Sequence, residues 1–275
     1  MTASAPLSRR ECALFATVLV LLLTAVLAPV LPAEAFALSV FADQRPWHGM
    51  ANAMDVLSNL PFAAFGLWGL WQLRRFDVAV NANTGAAAEP PGSTLDCAWL
   101  FFAGLLVTAA GSAFYHLQPD AMRLAADRAG MTVAFAGVVG LAACERVSQR
   151  AGWALAWCTL VGGLVAVACA AEAGNLLPWG TVQFGGMALV LGLALAPKVT
   201  GAIGLRLGSV IAIYAAAKLL EAGDAWVYEA TGHLVSGHTL KHGVAALAAL
   251  PVLAALQRVG ARALRHNPGA AAATA

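Results

Sequence analysis

Eight apolar runs of about 20 residues leave this chain little choice of architecture. They lie at ~12–32, ~53–73, ~97–116, ~125–145, ~152–172, ~180–198, ~206–226 and ~237–257. Hydrocarbon offers no hydrogen-bond partners, so a spanning segment must satisfy its own backbone, and a single apolar run does so as a helix. The expected fold is an all-α polytopic membrane protein. Composition agrees, with 60% of the 275 residues hydrophobic and 11% charged, against about 25% charged in a soluble domain. A net charge of +2 is too small for a nucleic-acid surface. The five cysteines, Cys12, Cys97, Cys144, Cys158 and Cys169, show no CxxC spacing and read as buried apolar residues rather than disulfides.

The first run follows Arg9-Arg10. It is longer than a signal peptide's apolar region of about 7–15 residues and is closed by Pro29 and Pro32, so it reads as a retained span. Three regions follow: an extra N-terminal transmembrane helix over 1–34, a seven-helix membrane domain over 35–260, and a disordered cytoplasmic tail over 261–275. The linker ~74–96, rich in Ala, Asn, Pro and Gly, reads as a flexible loop.

Positive charge orients the spans. With the N-terminus inside, the inner segments hold Arg9, Arg10, Arg74, Arg75, Arg146, Arg150, Lys198, Arg206, Arg258, Arg262 and Arg265, and the outer ones only Arg45, Arg123 and Arg128. Both termini are therefore expected in the cytoplasm of an inner-membrane protein. That orientation uses no functional residue, yet it sorts the polar ones. Ser112 and His116 end span three, Asp127 opens span four, Lys218, Glu221 and Asp224 end span seven, and His238 and His242 open span eight, all at the outer face.

His238 and His242 are four apart and share a helical face, so both imidazoles can reach one cation. His116 from another helix completes three protein ligands, the usual share of a catalytic zinc site. Ionisable groups at membrane depth are expensive and mark functional sites. The HxxxH lacks the glutamate of a zincin HExxH, because Thr239 stands in its place. Asp127 is then the candidate proton acceptor, and Ser112, one turn from His116, a candidate oxyanion donor. Blander readings stand beside these. Each histidine could be a hydrogen-bonded structural residue, Ser112 could back-bond to its own helix, and Asp127 could pair with Arg123 or Arg128. Lys218 and Glu221 read as a buried ion pair. Trp47, Trp179, Trp226 and Tyr228 read as interfacial anchors.

The SxxxH of Ser112 and His116, an Asp eleven residues after that His, and an HxxxH on the last span resemble the alkaline ceramidase family. That family lies within the CREST group of membrane hydrolases, which includes the progestin and adipoQ receptors. Asp55-Val56-Leu57-Ser58-Asn59-Leu60 looks like the Asn-x-x-Ser-Asn-Leu opening of that family's first core helix. Ala42–Arg45 and Ser236–His242 resemble motifs of its bacterial, ceramidase-like branch. The resemblance covers spans two to eight and implies a seven-helix core with span one added. It implies that His116, His238 and His242 hold zinc, with Ser112 beside it and Asp127 as catalytic acid–base. Eukaryotic members also bind calcium near the start of the first core helix. The matching region here holds Asp43, Asn52 and Asp55, with Arg45 among them, so calcium would fall to Asp43 and Asn52.

The implied activity is zinc-dependent hydrolysis of a membrane lipid's amide bond, as in ceramide to fatty acid and sphingoid base. An apolar cavity would hold the acyl chain. The expected partner is the lipid alone, with no obligate protein. The main rival is a receptor of the related type, with structural zinc and no turnover. A transporter relaying protons through Lys218, Glu221 and Asp224 is a third class, though no inverted repeat speaks for it.

Overall fold

A computed structural model describes residues 6–32, 41–82 and 92–266. The chain is an all-α polytopic membrane protein. The helices are α1 (Arg9–Leu27), α2 (Ala53–Leu57), α3 (Leu60–Ala82), α4 (Gly92–Leu117), α5 (Ala121–Arg146), α6 (Gln149–Glu172), α7 (Leu177–Gly180), α8 (Gly186–Leu195), α9 (Leu207–Ala222), α10 (Asp224–Ala230), α11 (Gly237–Ala246) and α12 (Ala249–His266). A π-helical turn, Thr181–Gly185, joins α7 to α8. Among the described residues six segments are long and apolar enough to cross a membrane: α1, α4, α5, α6, the α7–α8 run Leu177–Leu195, and the α11–α12 run Gly237–Gly260. The remaining two expected spans are also helical, as α3 and α9.

Prolines cut the expected spans where chain chemistry requires it. Pro61 cannot donate to the preceding turn, and the chain breaks at Ser58-Asn59 between α2 and α3. Pro251 leaves the Leu247 carbonyl without its helical donor, and α11 gives way to α12 there. α12 continues to His266, so the segment expected to be disordered from 261 is helical for its first six residues. The rest of that tail, 267–275, lies outside the described residues, as do 83–91 of the long linker and the 34/35 domain boundary.

The centre of the bundle is the antiparallel pair α4–α5. Its backbones touch because glycines alternate along the seam. A Cβ on Gly104 would lie 2.3 Å from the Ala134 nitrogen, one on Gly137 2.3 Å from the Phe101 nitrogen, and one on Gly130 2.8 Å from the Thr108 Cα. Association in lipid has no hydrophobic driving force and depends on such close packing of small residues. Asp120 caps α5 by accepting the Arg123 N–H at 2.8 Å, and Ser148 caps α6 by accepting that of Ala151 at 3.1 Å. α3 and α6 flank the pair, and α9, α11 and α12 close the far side.

α1 lies against the α7 region and turns most of its surface outward, with Leu19, Val20, Val26 and Leu27 exposed. Such a surface belongs in lipid. Its one buried acid, Glu11, accepts from Ser148 Oγ at 2.6 Å and from Arg150 Nη2 at 2.8 Å. At its other end Leu31 accepts the Leu176 N–H at 2.8 Å. Of the aromatic anchors, Trp47 and Trp226 are exposed, but Trp179 is buried against Phe135. All five cysteines are free. Cys97 and Cys144 are buried, whereas Cys12, expected to be buried, is exposed.

Thr94, near the start of α4, is held by Gln149, next to the basic end of α6. His116 lies 22 residues further on, about 33 Å along the helix. The arginine cluster and the histidines therefore occupy opposite ends of the bundle.

Candidate metal centre

The helices bring His116, His238 and His242 together, with one ligand nitrogen of each within 4.8 Å of the others. All three are buried. His116 stands one residue from the end of α4. His238 and His242 lie one turn apart in α11, whose N-cap Ser236 accepts the Thr239 N–H at 3.0 Å. Gly237 lets this end of α11 press on α9, because a Cβ there would sit 2.2 Å from the Leu220 carbonyl oxygen. Asp224 then accepts the His238 backbone N–H at 2.7 Å and that of Ala42 at 3.0 Å.

The nitrogens are arranged as ligands. Nε2 of His116 and Nε2 of His238 face each other at 3.3 Å. Two imidazole lone pairs at that separation need a proton or a cation between them. His242 engages Ser58 Oγ through Nδ1 at 2.7 Å, which leaves its Nε2 free. The three-histidine group can therefore bind a metal ion. Phe41 covers it, its ring centroid 4.7 Å from that of His116 and 4.8 Å from that of His238.

Ser112 and Asp127 flank this group. Gly111 allows α4 and α5 to meet here, where a Cβ would stand 2.6 Å from the Ala126 carbonyl oxygen. Asp127 brings its carboxylate alongside the Ser112 hydroxyl. Ser112 Oγ is buried and has no hydrogen-bond partner within 3.5 Å among the described residues, so it does not back-bond to α4. Arg123 pairs with Asp120 and Arg128 lies over the Trp179 ring, and neither forms an ion pair with Asp127 within 4 Å among the described residues.

The acidic groups expected to hold calcium are otherwise engaged. Arg45 takes both oxygens of Asp43, through Nε at 2.8 Å and Nη2 at 2.7 Å, and its guanidinium holds that carboxyl below the usual carboxylate range. Asn52 donates its amide to the His116 carbonyl at 2.9 Å. Asp55 accepts from Thr239 Oγ1 at 2.6 Å. The Arg45 guanidinium thus already neutralises Asp43, while Asn52 and Asp55 brace the histidine helices through the His116 carbonyl and the Thr239 hydroxyl. Lys218 and Glu221 form the expected ion pair, and Lys241 also reaches Glu221.

Several of these residues are invisible to spacing arguments. Phe41, Ser58 and Asp224 act through contacts between segments far apart in sequence. Thr239 stands where a zincin has its glutamate, yet its hydroxyl recruits a carboxylate from α2. A metal-ligating histidine is oriented by the partner of its other nitrogen, and losing such a partner costs about 10–100-fold in metal affinity. Ser58→Ala should therefore weaken metal binding by about that factor while leaving the fold intact. Competition with a chelator of known affinity measures it, and unchanged affinity would show that Ser58 does not orient His242.

Together the fold and this site define the class: an all-α polytopic membrane protein with a buried three-histidine group able to hold a metal. No protein-family model and no curated protein matches the chain.

Proposed function

We propose that this protein is a zinc-dependent membrane hydrolase that cleaves the amide bond of a lipid such as ceramide. The observation that carries the reading is the joint placement of three converging imidazoles with a buried serine hydroxyl and a carboxylate that, among the described residues, makes no ion pair. The likeness of these residues to the alkaline ceramidase pattern adds support. The donor set suits zinc, since tetrahedral Zn–N bonds of about 2.0–2.1 Å put ligand nitrogens about 3.3–3.4 Å apart, close to the 3.3 Å between His116 and His238. Zinc supplies Lewis acidity and makes water nucleophilic near neutral pH.

The remaining chemistry falls to the chain. Asp127 takes a proton from the attacking water and returns it to the leaving amine. Ser112 donates its free hydrogen bond to the carbonyl oxygen as charge develops there. Phe41 shields the site, which strengthens both interactions. An apolar cavity of about 120 Å³ lies among the helices, and Phe62, edge-on to His242, is part of its wall. It offers the acyl chain a place beside the site. Lys218, Glu221 and Lys241 are engaged in ion pairs and Asp224 accepts backbone N–H groups, an arrangement that lends the proton-relay reading no support.

The test is mass spectrometry of a mixed lipid extract incubated with purified zinc-loaded protein. Release of free fatty acid and a long-chain amine in equal amounts is the expected result. Retained zinc with no product would sink the hydrolase reading and leave the receptor class.

The orientation belongs to the same proposal. The arginine-rich end lies inside, with both termini, and the histidine end faces outward. In a cysteine-free background, Glu229→Cys should react with an impermeant thiol reagent on intact cells and Thr200→Cys should not. The opposite pattern would turn the site to the cytoplasm.

A further inference from the structure

Threonines in helices normally silence their hydroxyls on the preceding turn, and this chain follows that habit four times. Thr17, Thr24, Thr132 and Thr181 each donate to the carbonyl four residues back, at 2.9–3.0 Å. Thr108 does not. Its side chain is buried, its Oγ1 has no hydrogen-bond partner among the described residues, and it lines the apolar cavity. Tyr214 of α9 lines the same cavity, and its buried hydroxyl has no hydrogen-bond partner within 3.5 Å among the described residues. Gln183, from the π-helical turn, lies beside the Tyr214 hydroxyl and also lines the cavity. π-helical turns are rare and cluster at functional sites. The other lining residues are almost all hydrocarbon, Phe62 and Val139 among them.

A buried polar group left unsatisfied bears its desolvation cost without any return. Two hydroxyls and a carboxamide lining one apolar cavity are an arrangement that a ligand's own polar group would satisfy. Their position gives its place on the ligand. Thr108 lies eight residues before His116 on the same helix, about 12 Å deeper in the membrane. A chain entering from the metal centre would meet them partway along its length.

We propose that this cavity selects an acyl chain bearing a hydroxyl near its middle, held by Thr108, Tyr214 and Gln183. The proposal rests on the lipid-hydrolase reading for its entry route, but binding tests it without turnover. Full-length protein in nanodiscs is titrated with stearate and with stearate carrying one mid-chain hydroxyl, by displacement of a fluorescent fatty acid. The hydroxylated probe should bind roughly five- to tenfold more tightly. Thr108→Val and Tyr214→Phe should each erase most of that preference without weakening stearate, and Thr108→Ser should keep it. Equal affinity of the wild type for both probes would overturn the proposal, and so would failure of either to bind. Preference without any lipid hydrolysis would leave the cavity's selectivity standing and remove the hydrolase. Hydrolysis without preference would do the reverse.

Discussion

Asp127→Asn is expected to keep the fold and the bound metal while lowering lipid hydrolysis by about 10²–10⁴-fold, the usual contribution of a general acid–base group. The substitution preserves size and much of the hydrogen bonding but cannot transfer a proton. The structure sharpens this expectation, because Asp127 stands beside Ser112 without an ion pair to Arg123 or Arg128. Among the described residues its carboxylate makes no ion pair, and its near neighbour is the Ser112 hydroxyl. Ser112→Ala removes one oxyanion donor and should cost less, on the order of tenfold to a few hundredfold. Rates on the lipid found by mass spectrometry, with metal content measured alongside, decide the matter. Turnover near wild type in Asp127→Asn would pass the acid–base role elsewhere. Asp120 and Glu221 are poor substitutes, since Asp120 caps α5 and Glu221 is held by two lysines. Asp55 is the better one, because its second carboxylate oxygen is buried and unpartnered.

Loss of any one histidine should strip the metal. Among the described residues these three imidazoles are the group that can hold a metal, and all three are buried. Elemental analysis of His116→Ala, His238→Ala and His242→Ala should each show zinc far below stoichiometric, with hydrolysis lost in parallel. Because a buried imidazole also packs, each variant needs a helicity and monodispersity check, and the conservative His242→Gln keeps a polar group near Ser58. Stoichiometric zinc in any folded alanine variant would remove that histidine from the ligand set. Full activity in a zinc-free variant would end the zinc mechanism itself.

Much of this molecule is written locally. Apolar runs of bilayer length dictate helices because hydrocarbon leaves a lone backbone no other way to satisfy its hydrogen bonds. The i, i+4 spacing of His238 and His242 places both on one face wherever that helix goes. Even the pairing of α4 with α5 follows from the three-residue link between them, Gln118 to Asp120. What spacing could not decide is which groups from distant segments meet. Asp43, Asn52 and Asp55 resemble a calcium cluster in sequence, but the fold delivers the His116 carbonyl to Asn52 and Thr239 to Asp55, while Arg45, only two residues away, takes Asp43. The same holds for Ser58 on His242, Phe41 over the imidazoles, and Thr108 lining one cavity with Tyr214. A side chain's chemistry depends on its neighbours, and those neighbours are chosen by the packing of helices, where the glycine seams, the proline breaks at Pro61 and Pro251, and the π-helical turn set distances that no local pattern records.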